Sequence, residues 1–425
     1  MTKKTRSGAV RKTKKDSGPT INTGERDVLR RLAGRVAELA ARPIEQEKIK
    51  LWYKLNALEP TRPLVFCSPE GSWKEIITQD QMECESQLAR WWERHFRQEI
   101  FWGEEICDDR VIEPYFDIGC VHSGEDWGLS MTIIGGGAGG AYTWDAPIKT
   151  YDDLKHMHYP RPIVDREETS RIVDLADNAF GDFLEPRMRM RWRWSAGFSY
   201  IAACLRGLEQ MMLDMLDNPE GLHALMSFLR DGLMAELDYL EENGLLYLNN
   251  CGDYVGSGGF GWTNELPQAD FDGHVRAIDI WGFGESQETV GVSPELFEEF
   301  IFQYQLPILS RFGLNCYGCC EALDARWNIV KKTPRLRRVS ISPWSDIGKM
   351  AELMQDKYIF SIKPNPSYLA MASFHEDDIR RGLRETFDRT RGCRVEVIMK
   401  DTHTIRNDPN RVKRWVQIAH EEAKR

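Results

Sequence analysis

The sequence predicts an α/β fold: a single (β/α)8 barrel preceded by an N-terminal helix and carrying extended loops at its C-terminal face. Three observations predict it. Eight short apolar runs recur along the 425 residues. Helical patterns separate most of them. Three of those patterns open on a polar cap residue followed by proline. Strands alternating with helices make a parallel sheet, because each crossover lays a helix over the sheet. Eight such units favour a closed barrel over an open, doubly wound sheet.

Residues 1–25 form a basic, polar leader that is expected to be disordered and solvated. It lacks the apolar stretch of a secretory signal. Residues 26–57 read as an N-terminal helix, with Val28, Leu29, Leu32, Val36 and Leu39 at helical spacing. The barrel then occupies 58–425. Its expected strands are RPLVFCS (62–68), RMRMRWRW (187–194), LLYLNN (245–250), AIDIWG (277–282), LNCY (314–317), RRVSIS (337–342), YIFSIK (358–363) and RVEVIM (394–399). Asn218-Pro219, Ser293-Pro294 and Asp408-Pro409 mark helix starts. The side-chain oxygen accepts an orphan backbone N–H, and proline at the first helical position loses nothing. Ser373 and Glu376 have capping-box spacing.

Two segments exceed a bare barrel. Residues 68–150 hold a helix over about 81–97, a strand pair near 112–134 and the run GGGAGG (135–140). That run lacks GxGxxG spacing and no helix pattern follows it, so it reads as a flexible loop rather than a phosphate cradle. Residues 251–276 are a glycine-rich loop. Both segments follow C-terminal ends of strands, where barrels build their active sites.

The chain is 42% hydrophobic and 29% charged, with a net charge of -10. That balance argues against broad binding to nucleic acid or anionic membranes. No apolar run is long enough for a transmembrane helix, and a cytoplasmic location is expected. The ten cysteines are too few and too scattered for a disulfide scaffold. Cys67, Cys120 and Cys204 lie in apolar runs and read as reduced core thiols. Oligomer formation is compatible with all of this.

Three segments carry a family resemblance: APIKTYDDLKHMHYPRP (146–162), LRGLEQMMLDMLDNPEGLHALM (205–226) and VGVSPELFEEFIFQYQLPIL (290–309). They resemble the uroporphyrinogen decarboxylase superfamily, which includes the decarboxylase and the corrinoid-dependent methyltransferases. The likeness covers about residues 60 to 422 and implies the same barrel. The decarboxylase grips substrate carboxylates with an arginine-rich first loop. Here that loop is CSPEGSWKEI (67–76), without arginine. A substrate with many carboxylates needs several cationic forks, so the methyltransferase branch is the closer one.

That branch carries a His-x-Cys-Gly motif after a strand. In CYGCCEAL (316–323), Cys319 takes the place of the family cysteine, Tyr317 that of the histidine and Cys320 that of the glycine. The resemblance implies zinc at this stretch, held by Cys319, Cys320 or both, with Glu285 and His403 as candidates for the remaining places. It also implies a corrinoid as methyl acceptor. KDTHTIR (400–406) invites comparison with the DxHxxG motif of corrinoid carriers. Arg406 stands where that motif needs glycine, so the corrinoid is expected on a separate partner protein.

The residue chemistry fits such a site. Zinc takes four thiolate, imidazole or carboxylate ligands, and an open place lets it polarise a leaving oxygen. Asp401 is expected to orient His403, which serves as acid, base or ligand. Lys363 and Asn365, in SIKPNPS, are placed to hold a carboxylate or phenolate. Glu285 and Gln287, in WGFGESQ, supply a base or ligand and a binding group. Glu70 in the first loop, Tyr317 and Trp194 complete the expected substrate contacts, with Trp73, Trp192, Trp262 and Trp281 as further aromatic walls. The bland alternatives are packed thiols, surface turns and ordinary core aromatics. The expected reaction takes a methyl group from a small methoxylated or methylamine-like compound and passes it to the partner-borne corrinoid. The alternative is a metal-free carboxy-lyase acting on a smaller acid, with Asp401, His403 and Lys363 stabilising a carbanion.

Overall fold

The structure is a computed structural model and describes residues 20–137, 140–190, 192–193 and 195–425. Most of the basic leader therefore lies outside the described residues. The helix expected over 26–57 is two helices, α1 (Thr23–Ala40) and α2 (Pro43–Asn56). Proline pushes its predecessor out of the helical region, and Arg42 is extended, with ψ 141°. Helix α1 opens on a reciprocal cap. Asn22 Oδ1 accepts the Glu25 N–H at 2.9 Å, and the Glu25 carboxylate accepts the Asn22 N–H at 3.1 Å.

Five of the eight expected strands join one parallel sheet, and a sixth, expected over 277–282, joins it shifted to Trp281–Gly284 because Ala277–Asp279 form a 3-10 turn. They are β1 (Leu64–Cys67), β2 (Trp281–Gly284), β3 (Leu314–Tyr317), β4 (Leu336–Ile341), β5 (Ile359–Ile362) and β6 (Arg394–Met399). Their order is β1-β6-β5-β4-β3-β2, so the first strand lies beside the last. The fold is mixed α/β with this sheet at its centre.

The other two expected strands do not join it. Within 187–194, the strand Glu185–Arg189 pairs in parallel with Tyr115–Gly119 in a separate two-stranded sheet. Residues 245–250 form no strand. There the Asn249 side chain accepts the Trp281 N–H at 2.8 Å and donates to the Trp281 carbonyl at 3.1 Å. Its amide imitates a neighbouring peptide group against the start of β2. The strand pair expected near 112–134 is likewise redistributed. Its pieces pair with Glu185–Arg189, Ile163–Val164 and Tyr142–Asp145, the last as a hairpin around the glycine run.

Asn218 and Ser293 cap their helices as expected, accepting the N–H groups of Gly221 at 3.1 Å and Leu296 at 3.3 Å. The expected box at Ser373 does not form: the helix Glu376–Arg389 starts without a side-chain cap.

Alternation along the strands separates two faces. Val65, Cys67, Val339, Ile341, Phe360, Ile362, Val397 and Met399 pack into the large core shared with the helices. Leu64, Phe66, Ile359 and Ile398 face the other way, against Trp52 and Phe260, while Trp281, Phe283, Leu314 and Cys316 gather around Val255. The glycine-rich segment lies on this second face. It fits because its glycines are bare. A Cβ on Gly258 would sit 2.7 Å from Ile398, and one on Gly259 would sit 2.7 Å from both carboxylate oxygens of Glu396. Both glycines also have positive φ, 127° and 85°. Among the described residues, no helix is long and apolar enough to cross a membrane.

Candidate active site

The second face of the sheet carries a buried polar line. Ser361 and Glu396 are register partners on β5 and β6. The Glu396 carboxylate accepts from Ser361 Oγ at 2.5 Å and faces the Arg338 guanidinium at 3.0 Å. Lys363 Nζ, two residues on, donates to Ser361 Oγ at 2.6 Å. Charges taken out of water persist only when paired and hydrogen-bonded. Lys363 is the least compensated. Burial, reinforced by Lys400 and Arg338 and only partly opposed by Glu396 and Cys319, brings its pKa down to about 7.

This line ends at Cys319, just beyond the C-terminal end of β3. The Cys319 Sγ lies 3.3 Å from Ser257 Oγ, 3.7 Å from Cys320 Sγ and 3.9 Å from Lys400 Nζ. Lys400 follows β6 directly and also donates to Ser257 Oγ at 3.1 Å. The hydrogen bond from Cys320 lowers the Cys319 pKa below the ordinary thiol value against the effect of burial, with Lys400 and Ser257 assisting. Cys319 is thus poised as a thiolate, whereas the Cys320 thiol is pushed up by the same contact and by burial. Burial alone would lower the Lys400 pKa. The facing Cys319, Asp401 and Glu70 charges raise it instead, so the ammonium persists.

Asp401 and Glu70 close one side. The Asp401 N–H donates to Glu70 Oε2 at 2.7 Å, and Asp401 Oδ2 lies 3.9 Å from Cys320 Sγ. Both residues have positive φ, 57° and 42°. Such strain in non-glycine residues persists where the surroundings over-determine it. Burial raises the Glu70 pKa, with Lys400 opposing.

Glu285 closes the other side. It is 2% exposed, at the end of β2. Burial, then the like charges of Glu288 and Glu321, raise its pKa well above the usual carboxyl range, and Cys319 adds to the effect. That shift favours the protonated form of the carboxyl. Glu321 ties the two turns together. Its carboxylate accepts the N–H of Cys319 and that of Ser286, each at 2.9 Å.

Cys319, Cys320, Lys363, Asp401, Glu70 and Glu285 therefore gather at one end of the sheet. His403 is exposed and lies against Gly71 in the first loop. Among the described residues it makes no hydrogen bond to Asp401, whose neighbours are Glu70, Cys320 and Lys400. Tyr317 faces the opposite way from the expectation. It is fully buried and donates to Gln305 Oε1 at 2.7 Å on the helix side. The reason is strand periodicity: Cys316 points to the second face, so Tyr317 points away from it. Asn365 accepts the Ser367 N–H at 2.9 Å, and the Gln287 N–H donates to Glu285 Oε2 at 3.2 Å. Trp194 lies outside the described residues.

Two cavities, of about 580 and 370 Å³, adjoin the site and share Asp253 and Tyr254 in their walls. Trp192 and Trp281 line the smaller one. Tyr254 is 41% exposed. Burial and the nearby Glu70 and Cys319 charges push its phenol pKa up. It lines both cavities.

The donor set does not suit zinc. Among the described residues, no three His, Cys, Asp or Glu side chains are grouped to hold a metal ion. The ammonium of Lys400 stands beside the Cys319 sulfur, where it would repel a divalent cation. Lys400 and Ser257 are the residues that sequence reasoning missed. Lys400 had a signal, because it continues the inward alternation of Arg394, Glu396 and Ile398.

No family model matches the chain, and no curated protein matches it. Among solved structures, a methyltransferase from Methanosarcina mazei is similar in structure, with a TM-score of 0.48 and 12% identity over 88% of this chain and 97% of that one.

Proposed function

We propose that the chain is a methyltransferase. In this reading it takes a methyl group from a small methoxylated or methylamine-like substrate and delivers it to a corrinoid, which arrives as a co-substrate on a partner protein. The observation that carries the reading is a thiol beside an ammonium, Cys319 with Lys400, joined through Glu321 to the turn that holds Glu285, whose carboxyl burial pushes toward its protonated form. Alkoxides, phenolates and amide anions leave poorly at neutral pH. A proton placed on the heteroatom as the bond to carbon breaks removes that obstacle. Glu285 has the raised pKa that this role needs, and no metal is required for it. Lys363 and Lys400 offer positive charge to an anionic part of the substrate, and Tyr254 lines both cavities.

The barrel belongs to the same proposal. The six strands would be its greater part. The gap between β2 and β1 would be spanned by Asn249 against Trp281, by the Ala196 N–H on the Phe283 carbonyl at 2.7 Å, and by Asp109 against Val65 at 2.8 Å.

The test is incubation of the full chain with methoxylated aromatics or methylamines and reduced cobalamin, following cobalamin methylation by its absorbance. Methylation that falls about a hundredfold or more in Glu285→Gln supports the reading. Release of carbon dioxide from a small acid, with no methylation from any member of the panel, overturns it in favour of the lyase.

A further inference from the structure

We infer that Cys319 is a metal-independent nucleophile that takes the methyl group onto its own sulfur before the group is passed on. The inference rests on the methyl-transfer reading for the identity of the carbon. The thiolate chemistry stands on its own geometry.

Three donors surround one sulfur: Ser257 Oγ at 3.3 Å, Cys320 Sγ at 3.7 Å and Lys400 Nζ at 3.9 Å. All three favour negative charge on it. The ammonium supplies the counter-charge that a metal supplies elsewhere. It comes from a residue fixed at the end of β6 and held by Ser257 and Asp401, at 3.1 and 3.8 Å. A thiolate bound to zinc is a weaker nucleophile than one merely paired with an ammonium, because the metal withdraws its lone pairs. Cys319 is also 3% exposed, so water is largely excluded from it. The Cys319–Glu321–Ser286 connection holds the sulfur near the Glu285 acid.

The step balances. A sulfur lone pair forms the S–C bond while the bond from carbon to oxygen or nitrogen breaks. The bonding pair leaves with the heteroatom, which takes the proton of Glu285. The products are the demethylated substrate, S-methylcysteine at 319 and the Glu285 carboxylate. The sulfur would return to a thiolate beside Lys400 when a two-electron nucleophile takes the methyl group, the chemistry a reduced corrinoid would supply. Glu285 regains its proton from solvent.

The experiment treats the full chain, before and after dialysis against EDTA, with trideuteromethyl iodide at neutral pH and maps the label by peptide mass. Methyl iodide is small enough to reach a buried sulfur. Cys107 and Cys320 are exposed and serve as internal references. The expected result is labelling of Cys319 ahead of both, unchanged by EDTA. Lys400→Met should slow it by about tenfold. Lys400→Arg, which keeps the charge, should restore most of the rate and guards against misfolding of the Met variant. Labelling of Cys107 or Cys320 ahead of Cys319 overturns the inference. So does one zinc per chain that blocks Cys319 until it is chelated. Labelling of Cys319 without demethylation of any substrate would leave the nucleophile standing and sink the methyl-transfer reading. Cobalamin methylation that survives Cys319→Ser would do the reverse.

Discussion

Glu321 accepts the backbone N–H of Cys319 at 2.9 Å, and with its other oxygen it accepts that of Ser286 at the same distance. One buried carboxylate thus sets the spacing between the thiolate turn and the acid turn. In Glu321→Gln, one oxygen becomes an NH2 group facing an N–H donor. Leaving a buried donor unsatisfied costs about 1–3 kcal/mol. A drop of that size in urea unfolding, with slower alkylation of Cys319, is the expected outcome. An unchanged midpoint and rate would contradict the positioning role.

Arg338 and Glu396 form an ion pair in which both side chains are almost completely buried. Removing one partner strands the other charge, at a cost of about 3–5 kcal/mol. Arg338→Met and Glu396→Gln should each unfold at much lower denaturant. The double variant should cost less than the sum of the two. A double-mutant cycle with no coupling would contradict this.

Gly259 lets the 251–262 segment lie against that ion pair. In Gly259→Ala the new methyl would stand 2.7 Å from both Glu396 oxygens, on a backbone with φ 85°. Destabilisation above about 2 kcal/mol is expected. Gly273 also has positive φ but has nothing within 4 Å of its Cβ position, so Gly273→Ala should lose only the backbone-strain part. Equal losses would show that the close approach is not the cause.

The sequence reading of the sheet succeeded where strand identity is local. Runs such as VEVI and IFSI are apolar on one face and meet the alternation rule unaided. It failed at 245–250, because an asparagine side chain there replaces a ladder hydrogen bond, which no periodicity reports. It failed at 187–194 because the partner, Tyr115–Gly119, comes from a long insertion. At the site, Cys319, Lys363 and Glu285 were legible as polar residues just past strand ends. Tyr317 was misread because its motif position outweighed its parity. Ser257 carried no local signal, since only the folded loop brings it to Cys319.

Lys363 predicts a pH dependence of stability. Its folded pKa of about 7 lies below the ordinary 10.5, so between those values the unfolded chain holds more protons. Stability then rises with pH across that window, and the full penalty of the buried ammonium applies below it. Urea unfolding of wild type and Lys363→Met from pH 7 to 10 should show the difference shifting in favour of wild type as pH rises. A parallel pair of curves would place the amine in a more hydrated setting.

The central claim is that Cys319 is held as a thiolate by Lys400, Ser257 and Cys320. The most direct measurement is the ultraviolet absorbance of the thiolate as a function of pH, taken as wild type minus Cys319→Ser. A step well below the ordinary cysteine value that moves upward in Lys400→Met is the predicted result. A step at or above the ordinary cysteine value of 9.0, indifferent to Lys400, would contradict it.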